Sequence, residues 1–203
     1  MRYSYLLAAL SGLLQVLMFP SFGYFLLAPV CLVPLLLAVA RESGGRKQFL
    51  LGWLAGAIFW GGECYWIYDV MHRYAHLPAL AAGAIFAGFF LVKGLHLGLF
   101  SVLAVPLLKT RWAIPAVAAL WVALEGTHQY LGFTWLHLGN AGISMSVLVR
   151  LAPYTGVYGV SFALALMNIA LASALIGRPR RQLAWLVLLP ALYLLPALPP
   201  PET

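Results

Sequence analysis

FLLGWLAGAIFWGGECYWIYDVMHRYAHLP, residues 49–78, is the stretch on which the fold turns. Residues 49–62 are all apolar or glycine. Residues 63–78 then bring two acids (Glu63, Asp69), Arg73, two histidines and four aromatics where a membrane helix should be ending. About 20 apolar residues are needed to cross ~30 Å of hydrocarbon, and a polar and aromatic closure suits the membrane–water boundary. Working outward, the same pattern gives seven apolar runs: about 4–19, 24–40, 49–70, 79–107, 112–129, 156–176 and 183–198. The chain has 203 residues, 64% of them hydrophobic and 8% charged, with a mean hydropathy of +0.94. A water-soluble domain of that length cannot hide so much apolar surface. The expectation is therefore an all-α, polytopic membrane bundle of seven transmembrane helices. It forms one unit over residues 1–198, and an extended Pro-rich tail, 199–203, begins a linker. The first run reads as an uncleaved helix, because no A-x-A-like site follows it.

The basic residues punctuate the runs, so they indicate orientation and not nucleic acid. With the N-terminus inside, Arg2, Arg41, Arg46, Lys47, Lys109, Arg111, Arg178, Arg180 and Arg181 lie on the inner side. Arg73 and Arg150 lie on the outer side, and Lys93 lies within a span. This bias predicts a cytoplasmic N-terminus, a C-terminus across the membrane, and 63–78 at the outer face.

Counting 1.5 Å per residue from the inner boundary puts Glu63, Lys93 and Glu125 at one level, roughly 20 Å up. Charges at such depth face the bundle interior and pair. Lys93 is expected to pair with Glu63, Glu125 or both, either as a structural ion pair or as the floor of a polar pocket that also holds His128. His96 shares a helix face with Lys93 and reads as a hydrogen-bonded core residue. Trp66, Tyr68, Asp69, His72, Tyr74 and His76 are suited to interfacial anchoring. His72 and His76 lack the surroundings of a metal site, and no cofactor is expected. Cys31 and Cys64 sit in apolar runs as small packing residues. Neither a G-x-S-x-G elbow nor a Gly-rich phosphate loop is present.

Residues 130–155 carry Gly132, Gly139, Gly142 and Pro153 among apolar residues. That is too apolar for a free loop and too broken for a span. It suggests a re-entrant or interfacial segment, with a surface loop at the headgroups as the alternative. Phe133, Trp135 and Leu136 are placed to meet acyl chains.

Four strings occur in order: FPSFGYFLLAPVCLVPLLLA (19–38), the 49–78 stretch, ALWVALEGTHQYLGFTWLHLG (119–139) and LAPYTGVYGVSFALALMN (151–168). Together they resemble the N-terminal membrane domain of bacterial apolipoprotein N-acyltransferases. Thr134, Asn140 and His128 depart from that family's usual Pro, Tyr and Arg. The resemblance implies an inner-membrane protein that transfers an acyl chain from a phospholipid to the N-terminal diacylglyceryl-cysteine of a lipoprotein. The family's catalytic Glu, Lys and Cys belong to a nitrilase-like periplasmic domain, so no catalytic residue is expected in this chain. Its expected role is anchoring and docking through Trp66, Tyr68, His72, Phe133, Trp135 and Tyr158, above Glu63, Lys93, Glu125 and His128. The partners so implied are a phospholipid donor, a lipoprotein acceptor, membrane lipids and a nitrilase-like domain or subunit. The alternatives are a stand-alone lipid- or lipoprotein-binding membrane protein and, with less to favour it, a small transporter using Lys93 and the two glutamates.

Overall fold

The computed structural model describes residues 2–131 and 135–196. Phe133 and the 199–203 tail lie outside the described residues. Among those described the chain is helical throughout, with no strand: α1 (Arg2–Met18), α2 (Val33–Ala40), α3 (Gly45–Glu63), α4 (Trp66–Asp69), α5 (Ala79–Leu107), α6 (Ala113–Gly126), α7 (Leu138–Ala141), α8 (Ser146–Val149) and α9 (Ala152–Leu175). Short 3-10 turns and one π turn (Val70–Tyr74) join them. Two of these helices, α5 and α9, are long and apolar enough to cross a membrane.

The tightest packing in the fold is the crossing of α3 and α5. Gly52 and Gly56 line one face of α3, and Gly94 and Gly98 line the facing stripe of α5. A Cβ on Gly56 would lie 2.8 Å from the Gly94 Cα, and one on Gly94 would lie 3.0 Å from the Ala57 nitrogen. A Cβ on Gly52 would run into the Leu97 carbonyl. Small residues four apart let two backbones meet, which yields dispersion contact where burial of apolar surface in lipid yields none. This contact also sets the heights of the charges. Gly56 lies opposite Gly94, so Glu63 stands about 9 Å further along α3 than the level of Lys93. The expectation of a common level fails because the glycine contact sets Gly56, seven residues past Phe49, opposite Gly94, thirteen residues before Leu107.

The second run also differs from expectation. Only Val33–Ala40 is α-helical, roughly 12 Å of rise. Pro29 and Pro34 remove backbone donors, and residues 25–32 form 3-10 and other turns. Ala28, Cys31 and Leu32 of that irregular stretch are buried, and distant side chains satisfy their backbone groups. Leu32 N–H donates to Asn168 Oδ1 (2.8 Å), Asn168 Nδ2 donates to the Ala28 carbonyl (2.7 Å), and Ser11 Oγ donates to the Cys31 carbonyl (2.6 Å). Asn168 is fully buried on α9, so the polar link ties the α1–α2 layer to α9. Cys31 and Cys64 are both buried free thiols.

The seventh run is not α-helical either. Arg180–Leu188 and Pro190–Leu194 are 3-10 segments, and Pro190 interrupts any longer ladder. At ~2.0 Å per residue, 3-10 geometry still reaches roughly 30 Å. Arg150 holds the end of this stretch by donating from Nη1 to the carbonyls of Tyr193 (3.3 Å) and Leu195 (3.1 Å).

Candidate functional site

Around the middle of α5 and the far ends of α3 and α6, a polar cluster is buried in apolar surroundings. Lys93 (2% exposed) lays its Nζ on the Trp60 ring, 4.4 Å from the centroid. Trp60 meets His128 edge-on at 5.4 Å, and His128 meets His96 at 4.4 Å. His128 then stacks at 6.3 Å with His137, which touches Tyr158 at 5.3 Å. Four helices and the 135–145 segment thus contribute one continuous row of rings, from α3 to α9.

Glu125 (3% exposed) anchors the row. Its Oε1 accepts from Trp121 Nε1 at 2.8 Å, one turn back on α6, and from the Leu138 N–H at 2.6 Å. The second bond ties the broken 135–145 segment to α6. The Gly139 N–H, donating to Ser161 Oγ at 2.8 Å, ties the same segment to α9. A Cβ at Gly139 would strike the Val157 carbonyl, so glycine lets the segment lie flat on α9. Leu138, Ala141 and Leu148 are buried there, and this segment packs against protein as its composition suggests. Beside it, Leu136 has φ +78°, a strained setting for a branched side chain.

Not every buried polar atom in the cluster is satisfied. Among the described residues, Glu125 Oε2, Glu63 Oε1, His128 Nδ1 and His96 Nδ1 have no hydrogen-bond partner. Burying such an atom without a partner costs about 1–3 kcal/mol, and three of the four, on His96, Glu125 and His128, border one small space. A small cavity of about 20 Å³ lies among His96, Trp121, Glu125 and His128, with room for a single water. His137 lies outside the long apolar runs. Burial, with the charge of Lys93 adding to it, pushes its imidazole below the ordinary histidine range.

Two apolar grooves flank the cluster. One, of about 500 Å³, runs beside α5 and α6 and is lined by Val92, Leu95, His96, Leu99 and Leu124. The other, of about 480 Å³, lies between α6, α9 and the 3-10 stretch, and Val122, Tyr158, Phe162, Leu166 and Leu192 border it. His96 belongs to the first groove and Tyr158 to the second, so the row of rings ends in a groove at each side.

The sequence-predicted residues divide into three groups. Glu125 and His128 are at the centre, and Tyr158 closes one end. Trp66 and His72 are exposed near the end of α3, with Tyr68 half-buried and stacked on His72 at 5.6 Å; Trp135 is 57% exposed. Lys93 and Glu63 are buried, but the expected ion pair with either glutamate does not form. The ion pairs among the described residues are Glu42–Lys47 (3.6 Å) and Asp69–Arg73 (3.2 Å). Lys93 is too low on α5 for Glu63 and turns to Trp60, while Glu125 is held by Trp121 and Leu138. His96, expected as a hydrogen-bonded core residue, bonds Thr127 Oγ1 at 3.0 Å. Trp60 and His137 were not expected. The signals were there: Trp60 shares a helix face with Glu63 at i, i+3, and His137 is one of five histidines, set inside the broken segment.

Comparison with known proteins gives a consistent result. Residues 11–170 match the family profile described as the apolipoprotein N-acyltransferase N-terminal domain. Among curated proteins, the apolipoprotein N-acyltransferase of Geobacter metallireducens is 35% identical over 188 residues, covering 89% of this chain and 35% of that protein. That of Azotobacter vinelandii is 36% identical over 198 residues (91% and 37%), and that of Chromobacterium violaceum 34% over 172 residues (82% and 33%). The chain thus spans about a third of the length of the curated relatives it matches. With a match over most of its length, the chain belongs to the apolipoprotein N-acyltransferase N-terminal domain family.

Proposed function

We propose that this chain is the membrane portion of an apolipoprotein N-acyltransferase, in which it docks the phospholipid acyl donor and the lipoprotein acceptor. The observation that carries this reading is the row of rings from His96 to Tyr158, buried at His128 and His137, with unsatisfied polar atoms at its centre and an acyl-sized groove at each end. A diacyl lipid has the matching chemistry: a polar ester region joined to long apolar chains. Trp66, Tyr68 and His72 form one lip of the docking surface, and Trp135 and Tyr158 form the other. Phe133 joins them on sequence grounds alone. Glu63, Lys93, Glu125 and His128 make the polar floor.

In this reading residues 1–198 form one bundle crossing the bacterial inner membrane seven times. Five crossings are the α-helices α1, α3, α5, α6 and α9, and the second and seventh mix 3-10 turns with other structure. The basic bias puts the N-terminus in the cytoplasm and the docking surface at the periplasmic face. The acyl-transfer step, which needs an activated nucleophile, falls to a nitrilase-like domain or subunit. Cys31 and Cys64 are buried, and neither serves as that nucleophile.

The test is N-acylation of a diacylglyceryl-lipoprotein in a strain depleted of its own N-acyltransferase. The chain is supplied alone or joined to the remaining two-thirds of the Geobacter metallireducens relative. The joined form is expected to restore acylation, and Tyr158→Ala with Trp135→Ala to slow it about tenfold or more. The chain alone is expected to give no transfer. Turnover by the chain alone that survives Cys31→Ala and Cys64→Ala would contradict the reading.

A further inference from the structure

The opposite end of the bundle carries a second built site. Arg111, Trp112, Arg181, Gln182 and Trp185 surround a cavity of about 440 Å³, where the start of α6 meets the 3-10 segment that follows α9. That volume lies within the ~300–1,000 Å³ of small-molecule sites. The two indoles lie 5.2 Å apart at 43°, and the Arg111 guanidinium rests over the Trp112 ring at 5.3 Å. Gln182 is buried and donates from Nε2 to the Thr110 carbonyl at 3.2 Å. That bond spans 72 residues and fastens the neighbouring Arg181 next to Arg111. Thr110 Oγ1 in turn accepts from the Trp112 N–H at 3.2 Å, fixing the first indole. The cavity is therefore held by a short polar frame that belongs to both walls.

Its charge is one-sided. Among the described residues no acid lines it, and Glu42, the acid nearest in sequence to the basic inner set, accepts from Ser4 and pairs with Lys47. Two guanidiniums without a carboxylate fit an anion, and their planar forks suit phosphate oxygens best. Two tryptophans beside them fit the glycerol and ester level of a lipid leaflet, where indoles concentrate. A zwitterionic headgroup would bring an ammonium toward two arginines, which like-charge repulsion disfavours. We infer that the Arg111–Arg181 cavity is a binding site for an anionic glycerophospholipid. Its phosphate sits between the two guanidiniums, and its glycerol region lies against Trp112 and Trp185. This site is separate from the proposed docking surface and stands whether or not that surface works as proposed, since it involves none of its residues.

The experiment is native mass spectrometry of the full chain released from nanodiscs, with phosphatidylglycerol and phosphatidylcholine in equal amounts. Wild type is expected to retain phosphatidylglycerol about tenfold better, and Arg111→Ala with Arg181→Ala to abolish that preference. Arg41→Ala with Arg46→Ala removes the same charge outside the cavity and should leave the preference intact. Equal loss in both double variants would reduce the site to general surface charge and overturn the inference. So would an equal preference for both lipids in wild type. Inorganic phosphate at millimolar concentration should not displace the lipid; displacement would make this a free-phosphate site and overturn the lipid assignment. Arg111→Lys with Arg181→Lys guards against a folding failure. Lysine keeps the charge and loses the fork, so the preference should fall about threefold, and an unchanged preference would again count against the site.

Discussion

The chain buries irregular backbone in two places, and the two are finished differently. At residues 28–32, Asn168 and Ser11 partner the Leu32 N–H and the Ala28 and Cys31 carbonyls. At residues 135–145, Glu125 Oε1 and Ser161 Oγ meet the Leu138 and Gly139 N–H groups, yet the surrounding side chains keep unsatisfied atoms of their own. A closed polar link stabilises and has nothing left to offer. An open one costs stability and persists where something else completes it. The first region is joinery between α1, α2 and α9. The second is the candidate site.

Breaking the joinery should cost the most. Asn168→Ala strands the Leu32 N–H, at about 1–3 kcal/mol, and leaves the Ala28 carbonyl with the weak Cys31 Sγ–H donor alone. A drop of roughly 10 °C in the thermal midpoint is expected for a chain of this size, read by intrinsic fluorescence in detergent. Gly56→Val comes next. Its Cβ would press on Gly94 across the α3–α5 crossing, and overpacking of that kind costs about 1–3 kcal/mol. The same fluorescence scan reads it, and Gly83→Val, at an open position on α5, is the control.

Changes at the open site should sharpen the contrast by moving function more than stability. His128→Phe keeps a flat ring beside Trp60 and removes the unsatisfied Nδ1. Its stability should stay within about 1 kcal/mol of wild type or rise, while phospholipid retention at the site falls severalfold. Acid titration gives a smaller effect. The folded pKa of His137 is depressed, so the unfolded chain binds its proton more readily. The stability this histidine contributes is complete above the ordinary histidine value near 6.5 and is lost as pH falls through the folded value. His137→Gln should flatten that loss between pH 7 and 5. Smallest of all, Arg73→Ala removes an exposed ion pair with Asp69 and should shift stability by less than about 0.5 kcal/mol.

How much of this was legible in the sequence depended on the range of the interaction. The fourth run and α5 coincide at 79–107, because a long apolar run without an internal breaker until Pro106 has one good solution. The second and seventh runs looked equally apolar, but prolines at 29, 34 and 190 broke their ladders, and hydropathy does not register a missing N–H. Asn168 lies 136 residues from the Leu32 N–H it accepts, and no local pattern announces that bond. Hydropathy alone misplaces the heights of Glu63 and Lys93 because it does not locate helix ends, whereas the glycine contact fixes the register. The spacing of Gly52, Gly56, Gly94 and Gly98 was visible and would have corrected it. At the site, the types of residue were readable but their azimuth was not. Glu125 and His128 emerged, while His137 came in through a segment whose path only packing defines.

The central claim is that the open polar row receives a lipid whose chains lie in the two flanking grooves. The most direct measurement is photocrosslinking of the full chain in nanodiscs with a phospholipid carrying a diazirine midway along one acyl chain, followed by peptide mapping. Labels should concentrate on groove residues such as Val92, Leu95, Phe162 and Leu166 and fall severalfold in His128→Trp, whose larger ring crowds the point between the grooves. Labels spread evenly over outward-facing positions such as Leu6, Leu103 and Leu171, and unchanged by His128→Trp, would contradict the claim.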